Sequence, residues 1–319
     1  MLHSLLLLAG GLVYLLFGAD FLVRGAVALA RRANVPPIVV AITVVALGTS
    51  LPELVVTLRA VLTGFPGVVL GNVVGSNIAN VLLVGGVAAI IYPLAAPDPS
   101  SRKDTAIMLV VSVLFVILCL FGELSRPAGI IMLVILTWVL SLSAREAARA
   151  HGEAGGLVPT EMVVGLPTRK RLITFFLVVG LIALPLGARF VVTATVDIAR
   201  HLGMSEVAIG LTILAFGTSL PELATTVVAA VKKETDVAMG TIVGSNIFNL
   251  LAIMGVAAVL SPEPVQVPES FAWLDFPVML AAAVTVTAYV WRSRPMGRVA
   301  GIVMSVGYVA YIAVLFITA

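Results

Sequence analysis

The sequence predicts an all-α polytopic membrane protein of ten transmembrane helices, arranged as two five-helix repeats of inverted topology. Three observations carry that expectation. Of the 319 residues, 61% are hydrophobic and only 11% charged, against about 25% charged in an ordinary soluble domain; the mean hydropathy is +1.16. The chain also repeats itself. Gly48-Thr49-Ser50-Leu51-Pro52-Glu53-Leu54 returns as Gly217-Thr218-Ser219-Leu220-Pro221-Glu222-Leu223, and Gly75-Ser76-Asn77-Ile78-Ala79-Asn80 returns as Gly244-Ser245-Asn246-Ile247-Phe248-Asn249, both at an offset of 169 residues. Lastly, Lys and Arg alternate in abundance from loop to loop, which sets an orientation for each span.

Each element follows in order. Apolar runs of spanning length lie near Leu5–Ala30, Ile38–Leu62, Val68–Pro93, Thr105–Leu120 and Ala128–Leu142. A second set lies near Ile173–Ile198, Val207–Val231, Val237–Leu260, Phe271–Val290 and Val299–Ile317. The fifth run is short for a span of ~20 residues. Leu5–Phe17 is not read as a signal peptide. It lacks a basic lead, and Gly18-Ala19 just after it matches Gly187-Ala188 at the same offset, so it belongs to the fold. The most polar stretch, Ala148–Thr168, contains Gly152, Gly155, Gly156, Pro159 and Pro167 and reads as a linker. The expected organisation is a first repeat over 1–147, a cytoplasmic linker over 148–169 and a second, inverted repeat over 170–319.

One set of loops holds 14 Lys and Arg, from Arg31 and Arg32 to Arg298; the alternate loops hold Arg59, Arg126 and Arg200. The positive-inside rule makes the first set cytoplasmic and places both termini outside. An odd number of spans per repeat then inserts the second copy upside down, the signature of an inverted-repeat transporter. The chain is expected in the plasma (inner) membrane, with the lipid bilayer as its surroundings. The net charge of +3 comes from basic residues scattered between apolar runs, so it does not argue for nucleic acid. The single Cys119 permits no intrachain disulfide.

Both repeats carry the same polar inventory at mid-membrane. Pro52 lacks an N–H and deprives the Gly48 carbonyl of its helical partner. A helix broken there exposes backbone oxygens, tolerated in a membrane only beside protein or a polar cavity. Thr49 and Glu53 share a helix face, with Ser50 beside them; Ser76 and Asn80 share a face of the next run. Thr218, Ser219, Glu222, Ser245 and Asn249 reproduce the set. Two carboxylates among hydroxyl, amide and carbonyl oxygens suit a hard cation such as Ca²⁺ or Na⁺, and thiolate and imidazole are missing. An acid in hydrocarbon is costly and marks function by default; two related by an internal repeat suggest one site built by both halves. Small hydroxyl residues also serve to pack helices, so Thr49, Ser76, Thr218 and Ser245 carry that second reading. Asn77 and Asn246 read as caps or braces of the broken helices, and Asp20 with Arg24 as a local ion pair.

These paired motifs resemble the two alpha-repeats of the calcium/cation antiporter superfamily, most closely the prokaryotic sodium/calcium exchangers, over nearly the whole chain. The resemblance implies the sodium/calcium exchanger fold. It also implies ion ligands at the carbonyls of Ala46 and Ala215 and at the side chains of Thr49, Ser50, Glu53, Ser76, Asn80, Thr218, Ser219, Glu222, Ser245 and Asn249. The transported ions would be Ca²⁺ and Na⁺, held alternately in one pocket that a monomer suffices to build, with no cofactor. Some prokaryotic members have Asp where this chain has Asn249, and other exchangers have Asn.

The expected function is therefore secondary active Na⁺/Ca²⁺ antiport by alternating access, electrogenic if more than two Na⁺ replace one Ca²⁺. The alternative within the class is Ca²⁺/H⁺ exchange on the same glutamates. No G-x-x-x-x-G-K-[ST] motif is present, which argues against a nucleotide partner. A channel would more often surround a pore with several subunits. An intramembrane enzyme lacks its inventory, since His3, His151 and His201 lie outside the apolar midplanes.

Overall fold

A computed structural model of the chain describes residues 2–64, 66–94, 99–153, 166–202 and 215–318. It is helical almost throughout. In order, the helices are α1 (Leu2–Ala33), α2 (Pro37–Thr49), α3 (Leu51–Leu62), α4 (Gly67–Ile91), α5 (Pro99–Cys119), α6 (Arg126–Glu153), α7 (Lys170–His201), α8 (Ala215–Thr218), α9 (Leu220–Val231), α10 (Thr235–Leu260), α11 (Ser270–Trp291) and α12 (Arg298–Thr318). Among the described residues, seven of these are each long and apolar enough to cross a membrane, and the bent pair α2–α3 makes an eighth. The expected fourth span corresponds to α5, whose first turns carry Arg102, Lys103 and Asp104. The expected seventh corresponds to α8 and α9, and most of its first half lies outside the described residues. The helix of the fifth span is longer than its apolar run. The Ala-, Arg- and Glu-rich sequence after Ser143 favours helix, so α6 continues to Glu153, into the stretch expected as linker.

The loops gather into two separate sets. On one face Leu94 pairs with Met296 in a β-bridge, Arg102 Nη2 donates to Ser293 Oγ at 2.6 Å, and Arg298 Nε donates to the Ile90 carbonyl at 3.2 Å. On the other, β1 (Glu123–Leu124) pairs antiparallel with β2 (Val265–Gln266), and Arg126 Nη2 donates to the Ser261 carbonyl at 3.3 Å. Each cluster joins loops of both halves, and the first is the set rich in Lys and Arg, as an inverted repeat requires.

The core is centred on α4 and α10, the two most enclosed spans. Val69, Leu70, Val73 and Ile78 of α4 and Val237, Ala238, Ile242 and Leu250 of α10 are almost wholly buried. Beside this core, α1 and α7 pack as a close antiparallel pair. A Cβ at Gly180 would lie 2.8 Å from the Gly18 carbonyl and the Leu22 amide, and one at Gly187 would lie 2.8 Å from the Leu15 amide. Backbones approach this closely only where no side chain intervenes, the rule for helix contacts in lipid, which provides no hydrophobic drive between helices.

One contact breaks the equivalence of the halves. Asp20 of α1 pairs with Arg24 at 2.8 Å, as expected, but also with Lys232 Nζ at the end of α9, at 2.6 Å. α1 lies along α9, whereas the repeat-related pair, α7 and α3, does not pack in this way. The coverage of the two half-helices differs accordingly. Leu51 is 44% exposed against 8% for its counterpart Leu220, and Val56 is 36% exposed against 0% for Thr225.

Candidate ion-binding site

Both broken helices break at the same place. Ser50, between α2 and α3, has φ −82° and ψ 4°; Ser219, between α8 and α9, has φ −85° and ψ 3°. Pro52 and Pro221 each fall in the first turn of the following helix, where the missing N–H is not needed. The bend between α2 and α3 is 44°. Gly48 and Gly217 do not have the left-handed backbone that would call for glycine. They leave room for α7: a Cβ would overlap Leu181 at the first and Val192 at the second.

A second pair of distortions was not foreseen from sequence. α4 and α10 each contain a π-helical turn, Asn80–Gly85 and Asn249–Ile253, that starts at the last Asn of the repeated motif. Another π turn, Ala41–Val45, leads into Ala46. Such turns insert a residue into the helical ladder, displace backbone groups from ordinary pairing and are frequent at functional sites.

These devices bring the polar residues of both repeats together. Glu53, Thr49, Asn80, Ser245 and Asn249 are 0% exposed, and Glu222 and Ser219 are 1% exposed. Ser50 Oγ donates to Glu222 Oε1 across the repeats at 3.2 Å, and Ser245 Oγ lies 3.5 Å from the same oxygen. Glu53 and Glu222 lie within electrostatic reach of each other. Thr49 Oγ1 donates to the Ala46 carbonyl at 3.3 Å. Ser76 is buried, Thr218 is half-buried, and the backbone of Ala215 opens α8.

Several buried oxygens here have no hydrogen-bond partner: both of Glu53, Oε2 of Glu222, Oγ of Ser219, and Oδ1 of Asn80 and Asn249. Leaving such a group unsatisfied costs about 1–3 kcal/mol, more when it is charged. A cluster of uncommitted oxygens with two carboxylates is incomplete by itself and matches a hard cation's preference for oxygen ligands. Carboxylate is the only anionic donor, and no group of three or more His, Cys, Asp or Glu occurs among the described residues. Charge outside the spans is arranged differently. Burial raises the Glu234 carboxyl above its ordinary value at the start of α10, opposed in part by the nearby Arg31 guanidinium.

Sequence reasoning missed one side chain of this region and did not give the partners of another. Asn72 Nδ2 donates to Thr57 Oγ1 at 2.9 Å and lies 3.3 Å from the Glu53 carbonyl, bracing α3 against α4. Asn246, read from sequence as a cap or brace of the broken helices, crosses from α10 to α4 of the other repeat. Its Nδ2 donates to the Asn77 carbonyl at 3.3 Å, and its Oδ1 accepts from Asn80 Nδ2 at 3.2 Å. Asn77 donates to the Val73 carbonyl of its own helix, α4, at 2.7 Å. The signal for Asn72 was only a polar residue in an apolar run. For Asn246 it was a place in a repeated motif, which gives no bonding partner.

The family profile described as "Sodium/calcium exchanger protein" matches residues 3–144 and 172–317. The chain belongs to the sodium/calcium exchanger family. This exchanger-family protein is 33% identical to the sodium/calcium exchanger MaX1 of Methanosarcina acetivorans, over 98% of each chain. It is 35% identical to the inner membrane protein YrbG of Escherichia coli, over 99% of this chain and 98% of that one. Among solved structures it is similar to the sodium-calcium exchanger NCX_Mj soaked with 2.5 mM Na⁺ and 0.1 mM Ca²⁺, with a TM-score of 0.84, 28% identity and 98% of each chain covered. The exchanger-family fold expected from sequence is the fold observed. The protein is a membrane antiporter of cations, not an enzyme.

Proposed function

We propose that the protein exchanges Na⁺ for Ca²⁺ across the plasma membrane by alternating access, with Glu53 and Glu222 at the centre of one shared site. The observation that carries this reading is the pair of buried glutamates, one from each repeat, whose oxygens are left largely without partners. Two ionised carboxylates neutralise one Ca²⁺. The remaining ligands are the side-chain oxygens of Thr49, Ser50, Ser76, Asn80, Thr218, Ser219, Ser245 and Asn249 and the carbonyls of Ala46 and Ala215; they leave room for several Na⁺ in its place. Emptied of ions, the site holds unpaired buried charge, and moving it between the two openings is costly. That cost couples the two fluxes. One molecule contains the complete site.

Uptake of radioactive Ca²⁺ into proteoliposomes tests the coupling. An outward Na⁺ gradient should drive uptake, and an outward proton gradient without Na⁺ should not. Uptake driven by protons alone would establish Ca²⁺/H⁺ exchange instead. More than two Na⁺ per Ca²⁺ moves net charge, at about 2.3 kcal/mol per charge per 100 mV. An interior-positive diffusion potential should therefore slow Na⁺ uptake coupled to Ca²⁺ exit and speed the reverse exchange. A rate indifferent to potential would show electroneutral exchange.

The basic face is assigned to the cytoplasm and both termini to the outside. Single cysteines at Gly155 and Thr318, in a Cys119→Ser background, check this in intact cells. An impermeant thiol reagent should label Thr318→Cys and spare Gly155→Cys. The reverse pattern would invert the assignment.

A further inference from the structure

We propose that Asn246 is a positioning residue for transport: it holds the Asn80 amide with its oxygen turned toward the ions. This rests on Asn80 being an ion ligand, as proposed above. The argument starts from a group that cannot be reversed. A backbone carbonyl only accepts hydrogen bonds, and the Asn77 carbonyl lies 3.3 Å from Asn246 Nδ2. Met108 Sδ, also an acceptor, lies 3.8 Å from the same nitrogen. Turning the Asn246 amide over would set oxygen against oxygen and against sulfur, so its NH₂ stays on that side. Its Oδ1 must then face Asn80, and it accepts from Asn80 Nδ2 at 3.2 Å. The Asn80 amide is fixed in turn: its nitrogen is committed, and its Oδ1 is the buried atom left without a partner. The orientation passes from a main-chain carbonyl of α4, through a side chain of α10, back to a side chain of α4.

The other repeat lacks this arrangement. Symmetry would have Asn249 donate to Asn77 Oδ1. The Asn77 amide turns instead to Val73, and Asn77 Oδ1 and both polar side-chain atoms of Asn249 have no partner. Two ligands of the same type, at equivalent places, thus differ in freedom: Asn80 is an oriented acceptor, and Asn249 can present either end of its amide. A cation needs the oxygen. Loss of the orienting contact should weaken binding at Asn80 without blocking the conformational cycle.

An aspartate at position 80 provides the test: it has oxygen at both ends, so it needs no orienting, and the oxygen it sets against Asn246 Oδ1 makes that contact a burden instead of a support. Half-saturating Ca²⁺ and maximal rate are measured in proteoliposomes for Asn246→Leu, Asn80→Asp and the double variant. In the Asn80 background, Asn246→Leu should raise half-saturating Ca²⁺ about tenfold, the order of one lost hydrogen bond between neutral groups, with the maximal rate within about twofold. In the Asn80→Asp background, the same change should not raise half-saturating Ca²⁺, because it removes an oxygen set against the carboxylate instead of a hydrogen bond. An equal factor in both backgrounds overturns the proposal, since a general packing role is blind to the identity of residue 80. Asn80→Ala separates the two levels. If it leaves half-saturating Ca²⁺ unchanged, Asn80 is not a ligand and the site reading fails with the inference. If it raises half-saturation while the cycle is additive, only the inference fails. Should Asn246→Leu not insert, Asn246→Ala completes the same cycle, with the same factors expected and the same additivity overturning the idea.

Discussion

Glu53→Gln and Glu222→Gln should each cut Ca²⁺ transport at least about a hundredfold while the protein still inserts and remains folded. Glutamine keeps the size and one coordinating oxygen but removes the charge, so the deficit is electrostatic. A divalent ion facing one carboxylate in place of two loses a charge-assisted contact in a site sealed from water, where such contacts are strongest. Folding should not suffer. Both carboxylates are fully buried with oxygens that lack partners, so neutralising one relieves an unfavourable burial. The two glutamates act as a unit, and the double variant should be little worse than either single. Glu123, whose Oε2 accepts from Gln266 Nε2 at 3.1 Å in an exposed loop pairing, and the exposed Glu263 provide the controls. Exchange in proteoliposomes, normalised to inserted protein, gives the reading. Near-normal exchange in Glu53→Gln or Glu222→Gln would remove the site from the centre of the molecule.

The second large effect is expected where no ion passes. Gly180→Val should destabilise the protein by about 1–3 kcal/mol or more and reduce transport at least about tenfold. A Cβ at this position meets Leu22 Cβ at 2.7 Å and backbone atoms of Gly18 and Leu22 at 2.8 Å. Backbone cannot rotate away as the end of a side chain can, so α1 and α7 must separate. α7 flanks both broken spans through Gly48 and Gly217, so its displacement reaches the site. Gly10→Val is the matched control on α1, because nothing lies within 4 Å of a Cβ there. Thermal unfolding of the purified protein and Ca²⁺ exchange measure the two consequences. Equal melting temperatures for Gly180→Val and Gly10→Val would show that the pair tolerates separation.

Much of this could be read in the chain because the membrane simplifies it. Apolar runs, an exact repeat offset and one-sided loop charges each follow from a single physical rule. The place of each break was legible to within two residues, from Pro52 and Pro221. What could not be read depends on contacts between distant segments. The reason for Gly48 and Gly217 is the approach of α7, which no local pattern encodes. The spacing of Gly11 and Gly18, repeated at Gly180 and Gly187, was present in the sequence as a close-packing signal, but it gained meaning only once α1 and α7 were seen side by side. The π turns at Asn80 and Asn249 leave no mark in hydropathy. The chemistry of the pocket was legible as residue types, two acids and a set of oxygens. Asn246 shows the limit: its role depends on which carbonyl its nitrogen faces.

Among the described residues, the ion pair between Asp20 and Lys232 has no equivalent at the repeat-related positions Arg189 and Thr63. There Arg189 is exposed, and the Thr63 hydroxyl bonds back to the Arg59 carbonyl of its own helix at 2.7 Å. Two identical inverted repeats would rest equally often open to either side, each state related to the other by a two-fold rotation. Were the Asp20–Lys232 pair made in only one of the two states, that equality would be lost. Asp20, Arg24 and Lys232 are between 19% and 29% exposed, and a difference of only ~1.4 kcal/mol would set the resting ratio near ten to one. Ions approaching from the less populated side would then find fewer molecules ready to receive them, and the concentration needed for half-saturation would rise by the same factor. The preferred direction of loading would then be set partly by three side chains outside the repeated motifs, and could be retuned there without altering which ions the pocket accepts.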